Sequence, residues 1–129
     1  MARASRRRYA APVRESVVER AIVRAVEESG GLALKLVSPG WAGAPDRLVL
    51  LPGGRVMFIE AKRPGEEPRP LQAYRHRELE RLGFEVRVIS TIVEVAQLRR
   101  DIERAATATA EHDDSADALP PARLPAARD

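Results

Sequence analysis

Two apolar runs with a short turn between them dominate the middle of the chain. Residues 46–51 (Asp-Arg-Leu-Val-Leu-Leu) and 55–61 (Arg-Val-Met-Phe-Ile-Glu-Ala) flank Pro52-Gly53-Gly54. Apolar runs around a Gly-rich turn predict a β-hairpin. The pattern is constraining because the turn sets the register, and the register decides which face every side chain occupies. With a three-residue loop Leu51 pairs with Arg55. Counting outward then puts Asp46 opposite Glu60, with Cβ atoms about 4.5–5.5 Å apart. A two-residue Gly53-Gly54 turn would shift the pairing by one and send the two acids to opposite faces. Both runs are apolar on both faces, which predicts a sheet covered on both sides.

The flanking segments read as a small α/β domain. Residues 13–29 repeat Val17, Val18, Ala21, Ile22, Ala25 and Val26 at helical spacing, and Gly30-Gly31 stops that helix. Residues 32–37 form a short strand, and Pro39, Gly40, Gly43 and Pro45 break the loop that follows. A polar loop over 62–70 leads to a helix from Pro70 to about Leu82, with Leu71, Tyr74, Leu79 and Leu82 as its stripe and Gly83 as its end. Residues 84–90 read as a fourth strand. Thr91 and Glu94 have capping-box spacing and open a last helix to about Ala106. The order is α-β-β-β-α-β-α.

Composition narrows the function classes. At 129 residues there is room for one ordinary domain. The chain has no cysteine, hence no disulfide framework, Cys-based zinc site or thiol nucleophile. No apolar run approaches the roughly 18 residues of a membrane span, and no secretory pattern is visible, so the expected location is cytoplasmic. No Walker-type phosphate cradle appears, so no nucleotide cofactor is expected. Charge is uneven. Residues 1–14 carry five arginines and no acid, residues 15–104 carry 15 basic and 14 acidic residues, and residues 105–129 carry two arginines and five acids. The expected layout is a basic flexible arm over 1–12, a folded domain over 13–106 and a disordered Ala/Pro/Asp-rich tail over 107–129. Of the 22 basic residues only Lys35 and Lys62 are lysines.

In the three-residue register, two like charges face each other and Lys62 follows on the same face if the strand continues. Such a pair is destabilising without a counter-charge. A divalent cation resolves it: two carboxylates, a backbone carbonyl and waters make a hard-oxygen site suited to Mg²⁺. Carboxylate-held Mg²⁺ is suited to phosphodiester attack, and a neighbouring ammonium can orient water or stabilise transition-state charge. The competing reading is an ordinary Glu60–Lys62 ion pair, with Asp46 capping its turn or paired with Arg47.

At these residues the chain resembles the PD-(D/E)xK nuclease superfamily and, more narrowly, the VRR-NUC family, in its stand-alone phage and bacterial form related to Holliday-junction resolvases. The matching blocks are Glu15-Ser16 and Glu19, Gly30-Gly31, Lys35, Ser38-Pro39-Gly40 and Gly43-Ala44-Pro45-Asp46-Arg47. They continue with Leu50 through Arg55, Phe58-Ile59-Glu60-Ala61-Lys62, Pro70-Leu71-Gln72 and Leu82-Gly83. They cover roughly residues 15–90. Ala44 before Pro-Asp is a mild variation. The resemblance implies a restriction-endonuclease-like α-β-β-β-α-β core, a mixed central sheet flanked by helices, with a C-terminal helix and tail added here. It implies Asp46 and Glu60 as metal ligands, the Ala61 carbonyl as a third, and Lys62 as the catalytic lysine. It also implies a first-helix acid, Glu19 in preference to Glu15, and a supporting Gln72.

Other residues carry weaker expectations. Lys35 is costly in mid-strand unless it meets an anion, a phosphate or the acid cluster. Arg63, Arg69 and Arg75 follow the catalytic loop and could line a nucleic-acid backbone, with solvated helix charge as the alternative. Trp41 is read as packing under its loop rather than stacking on a base. His76 and His112 are too few for a histidine metal site, and neither reads as a general base. The expected function is a Mg²⁺-dependent DNA endonuclease, with Mn²⁺ substituting, acting on branched or junction DNA as a homodimer. The alternative is a non-catalytic DNA-binding module of the same fold.

Overall fold

A computed structural model describes residues 15–112. Helix α1 (Glu15–Glu28) is followed by strands β1 (Leu32–Lys35), β2 (Arg47–Leu51) and β3 (Arg55–Ala61). Helix α2 (Pro70–Arg81), strand β4 (Glu85–Ile89) and helix α3 (Ile92–His112) complete the chain. The four strands form one mixed sheet in the order β1-β2-β3-β4. The first three are antiparallel, and β4 runs parallel to β3. A parallel neighbour requires a crossover, and α2 supplies it.

Side-chain alternation divides the sheet into two faces. Val49, Leu51, Met57, Ile59, Ala61 and Ile89 project to one face. There they pack against Val18, Ile22, Ala25 and Val26 of α1 and Val95, Leu98 and Ile102 of α3. This is the apolar core. The intervening residues Phe58 and Glu60 project to the opposite face, toward α2 and the segment after it. Phe58 meets Phe84 edge-on with ring centroids 5.6 Å apart.

The element order follows the sequence, with two larger differences at element ends and one along α2, whose expected stripe is buried only at Leu79 and exposed at Leu71, Tyr74 and Leu82. Strand β1 stops at Lys35 instead of continuing to residue 37. Leu36 N–H donates to the Asp46 carbonyl at 2.8 Å as the last link before Pro39 and Gly40 turn the chain. Helix α3 starts as expected, with Thr91 Oγ1 accepting from Glu94 N–H at 3.1 Å. It then runs to His112 rather than ending near Ala106, because Ala105, Ala106, Ala108 and Ala110 are strong helix formers. The basic arm and the tail beyond residue 112 lie outside the described residues.

Candidate active site

The hairpin turn decides the site. Leu51 pairs with Arg55 and Arg47 with Ile59, the three-residue register. Gly53 and Gly54 hold φ of +82° and +77°, a left-handed region in which a side chain on two successive residues would be strained. One step outward from Arg47–Ile59, Asp46 lies opposite Glu60. One step further, Pro45 lies opposite Ala61. Proline has no N–H, so the ladder offers no donor to the Ala61 carbonyl. The Ala61 N–H on the same strand edge donates instead to Asp46 Oδ2 at 2.9 Å. Pro45 and Asp46 thus serve one local purpose. The proline leaves a backbone oxygen without its ladder donor, and the aspartate is pinned beside it.

Glu60 sits at the centre, 2% exposed. Burial and the neighbouring Asp46 carboxyl raise its pKa to about 8, against the opposing pull of Lys62. The Lys62 ammonium lies 3.7 Å from Glu60 Oε1. Gln72 Nε2 donates to the same oxygen at 3.2 Å. The Gln72 amide is oriented by its other end, because Oε1 accepts the Arg69 backbone N–H at 2.9 Å. A glutamine at the third helical position reaching back to cap α2 therefore presents its NH₂ to Glu60.

One turn along α2, His76 reaches the same carboxylate. It is 6% exposed, and its Nε2 lies 3.7 Å from Glu60 Oε2. Burial lowers its pKa, with Glu80 opposing. The sequence reading passed over His76. The available signal was its spacing of four from Gln72, which puts both on one helix face. That signal gains meaning only once α2 is known to cover Glu60.

Other candidates are placed elsewhere. Glu19 accepts from Arg47 Nε at 3.0 Å and Nη2 at 2.7 Å, and it makes no hydrogen bond or ion pair with Asp46 or Glu60. Arg47 alternates with Asp46 along β2, so this ion pair belongs to the α1 side of the sheet. Glu15 is the first residue of α1, and its side chain is outside the described part. Lys35 is exposed and pairs in register with Arg47, which puts it on Arg47's face and away from the acids. Arg63 and Arg69 are exposed beside the 62–70 loop.

Arg75 is already engaged. Its Nε donates to the Ala42 carbonyl at 2.9 Å and its Nη1 to Glu78 at 2.7 Å. Its guanidinium lies 5.4 Å from the Trp41 ring centroid and 5.6 Å from that of Tyr74. Arg75 and Trp41 hold the 38–45 loop against α2, so Trp41 packs on the protein as expected. Gly43 makes the approach possible: its φ is +83°, and a Cβ there would stand 2.9 Å from Leu71 Cγ.

The arrangement offers two carboxylates, a backbone carbonyl without its ladder donor and an ammonium. Among the described residues no group of three or more His, Cys, Asp and Glu side chains is arranged to hold a metal. A cation here would complete its shell from the carbonyl, water and substrate. That suits Mg²⁺, which commonly takes one or two carboxylates and keeps several waters. Glu60 Oε2 is buried without a hydrogen-bond partner. With the raised Glu60 pKa, this marks an acid pair that the single Lys62 ammonium only partly compensates.

No protein-family model matches the chain. A curated relative, "Putative nuclease p44" of Acyrthosiphon pisum secondary endosymbiont phage 1, is 47% identical over 79 residues, covering 61% of this chain and 85% of the relative. A solved structure described as "VRR_NUC domain" is 35% identical and superposes with a TM-score of 0.62, covering 65% of this chain and 91% of the other. The fold, the hairpin register and these likenesses agree, and the chain belongs to the VRR-NUC family.

Proposed function

We propose that the protein is a Mg²⁺-dependent DNA endonuclease, with Mn²⁺ able to substitute, and that branched or junction DNA is its preferred substrate. The observation carrying this reading is the buried Glu60 opposed by Asp46, with the Lys62 ammonium against it. Nuclease chemistry is supported by the family and by the phage relative's name. The preference for branched DNA rests on the resolvase resemblance and on the small size of the domain.

The residues divide the work. Asp46, Glu60 and the Ala61 carbonyl would hold the cation, and Glu19 would join them only by exchanging its Arg47 partner for the ion. A bound Mg²⁺ supplies Lewis-acid polarisation of a phosphoryl oxygen and a lowered pKa for a coordinated water. The Ala61 N–H fixes the Asp46 rotamer, and Gln72 fixes Glu60. Lys62 places a compact positive charge beside the reacting centre, where it orients the attacking water and stabilises negative charge on phosphorus oxygens. Arg63 and Arg69, exposed on the adjoining loop, are positioned to meet backbone phosphates. A symmetric homodimer would bring two such sites to the two strands of a junction.

The test is incubation of purified protein with end-labelled four-way junction and matched linear duplex in Mg²⁺, alongside Asp46→Ala and Lys62→Ala. The expected result is incision favouring the junction, lost in EDTA and in both variants, by a protein that elutes as a dimer. Failure of the parent to cut any DNA in Mg²⁺ or Mn²⁺, or full activity in either variant, would overturn the site. Equal cutting of linear duplex would remove the junction preference and leave the nuclease standing.

A further inference from the structure

Among the described residues, two buried side-chain polar atoms have no hydrogen-bond partner, Glu60 Oε2 and His76 Nε2. They lie 3.7 Å from each other. Leaving one such atom unmade is costly, of order 1–3 kcal/mol. Two side by side in one polar cluster point to a shared interaction. The separation is somewhat too long for a hydrogen bond and too short to seat a bridging water in line. A small closing movement joins the two atoms directly.

The two oxygens of Glu60 then have separate partners. Oε1 faces Gln72 Nε2 and Lys62 Nζ, and Oε2 lies 3.7 Å from His76 Nε2, with the Asp46 carboxyl also against Glu60. Gln72 and His76 are four residues apart on one face of α2, so a single helix face carries one donor for each oxygen. We propose that His76 is a positioning residue. As a neutral imidazole protonated on Nε2, it donates to Glu60 Oε2 and fixes the rotation of the carboxylate that, on the nuclease reading above, carries the cation.

Two other roles fit less well. A general base needs access to the water it deprotonates, whereas the His76 side chain is 8% exposed and its Nε2 is turned to Glu60. A direct metal ligand would make a group of three with Asp46 and Glu60, and no such group is present among the described residues. Burial holds the imidazole neutral, so one ring nitrogen carries a proton and the other does not. Opposite an ionised carboxylate the proton belongs on Nε2.

Two measurements test this. Long-range ¹H–¹⁵N spectra of metal-free, ¹⁵N-labelled protein at pH 9 should show His76 as the Nε2–H tautomer. The signal is assigned by its loss in His76→Gln. An Nδ1–H tautomer would overturn the pairing whether or not the protein cuts DNA. The second measurement is calorimetric Mn²⁺ affinity. Removing partners of this kind typically weakens metal binding about 10–100-fold, and His76→Leu should do so. His76→Gln, whose Nε2 can take the imidazole position, should stay within about threefold of the parent. Unchanged affinity in His76→Leu, or an equal loss in His76→Gln, would show a packing role and overturn the proposal. A parent that binds no Mn²⁺ would refute the metal reading and the functional consequence of His76 together, while the tautomer still decides the pairing.

Discussion

The two faces of the sheet solve opposite problems. On the α1–α3 face thirteen buried apolar residues close over one another. The charge at their rim is matched, with Glu19 taking two hydrogen bonds from Arg47. On the α2 face Glu60 and His76 are as buried as the core, yet each has a polar atom without a partner. The dry core is the source of stability, and the polar face, where Lys62 only partly compensates two carboxylates, is the candidate site. The contrast is physical: apolar burial is favourable without any ligand, whereas a buried carboxyl pair stays protonated or needs a cation.

The comparison can be broken from either side. Ile22→Ala on the core face should cost about 2–5 kcal/mol of stability, read by denaturant unfolding, with cleavage per folded molecule unchanged. Loss of activity in the folded fraction would mean that the faces are not separable. On the polar face, Lys62→Arg should lower the cleavage rate about 10²–10³-fold with little change in melting temperature. A guanidinium that restored the rate would show that Lys62 contributes only charge.

An effect of similar size concerns pH. The Glu60 carboxyl titrates near 8 in the folded protein against 4.5 ordinarily. Between those values the folded state keeps a proton that the unfolded chain has released, so stability falls as pH rises from about 5 to 8. The loss should amount to roughly 3–4 kcal/mol over that window. Glu60→Gln should flatten this slope, and added Mg²⁺ should raise the melting temperature more at pH 8 than at pH 6. A slope unchanged by Glu60→Gln would place the titration elsewhere. The smallest effect is expected at the satisfied rim: Glu19→Ala should cost about 0.5–1 kcal/mol, measured by thermal unfolding.

Local chemistry was legible in the chain. The turn Pro52-Gly53-Gly54 left two registers, and the one the structure adopts opposes Asp46 to Glu60, with Lys62 two residues on. Gln72 was reached through the family resemblance, as a supporting residue, and its capping bond emerged only in the structure. What stayed hidden depended on which surfaces meet. Lys35 looked like a companion to Lys62, but pairing with Arg47 puts it on the other face. Arg75 looked free for nucleic acid, but it is bound to the Ala42 carbonyl and Trp41. Glu19 looked like a third ligand, but Arg47 holds it.

His76 is the clearest case. From sequence it is one histidine on a polar helix, four residues from Gln72, a spacing that carries no meaning until α2 is placed. The crossover packs α2 beside β4 and sets the imidazole against a carboxylate sixteen positions earlier in the chain. Sequence alone therefore determined the hairpin and narrowed its register to two, one of which opposes the acids beside the lysine, because a two-residue period and a glycine turn encode geometry over a few residues. Only the tertiary structure decided which helix covers those acids and which charges are left for them. Packing of a helix on a sheet is fixed by the summed burial of many side chains, and no local pattern records that sum.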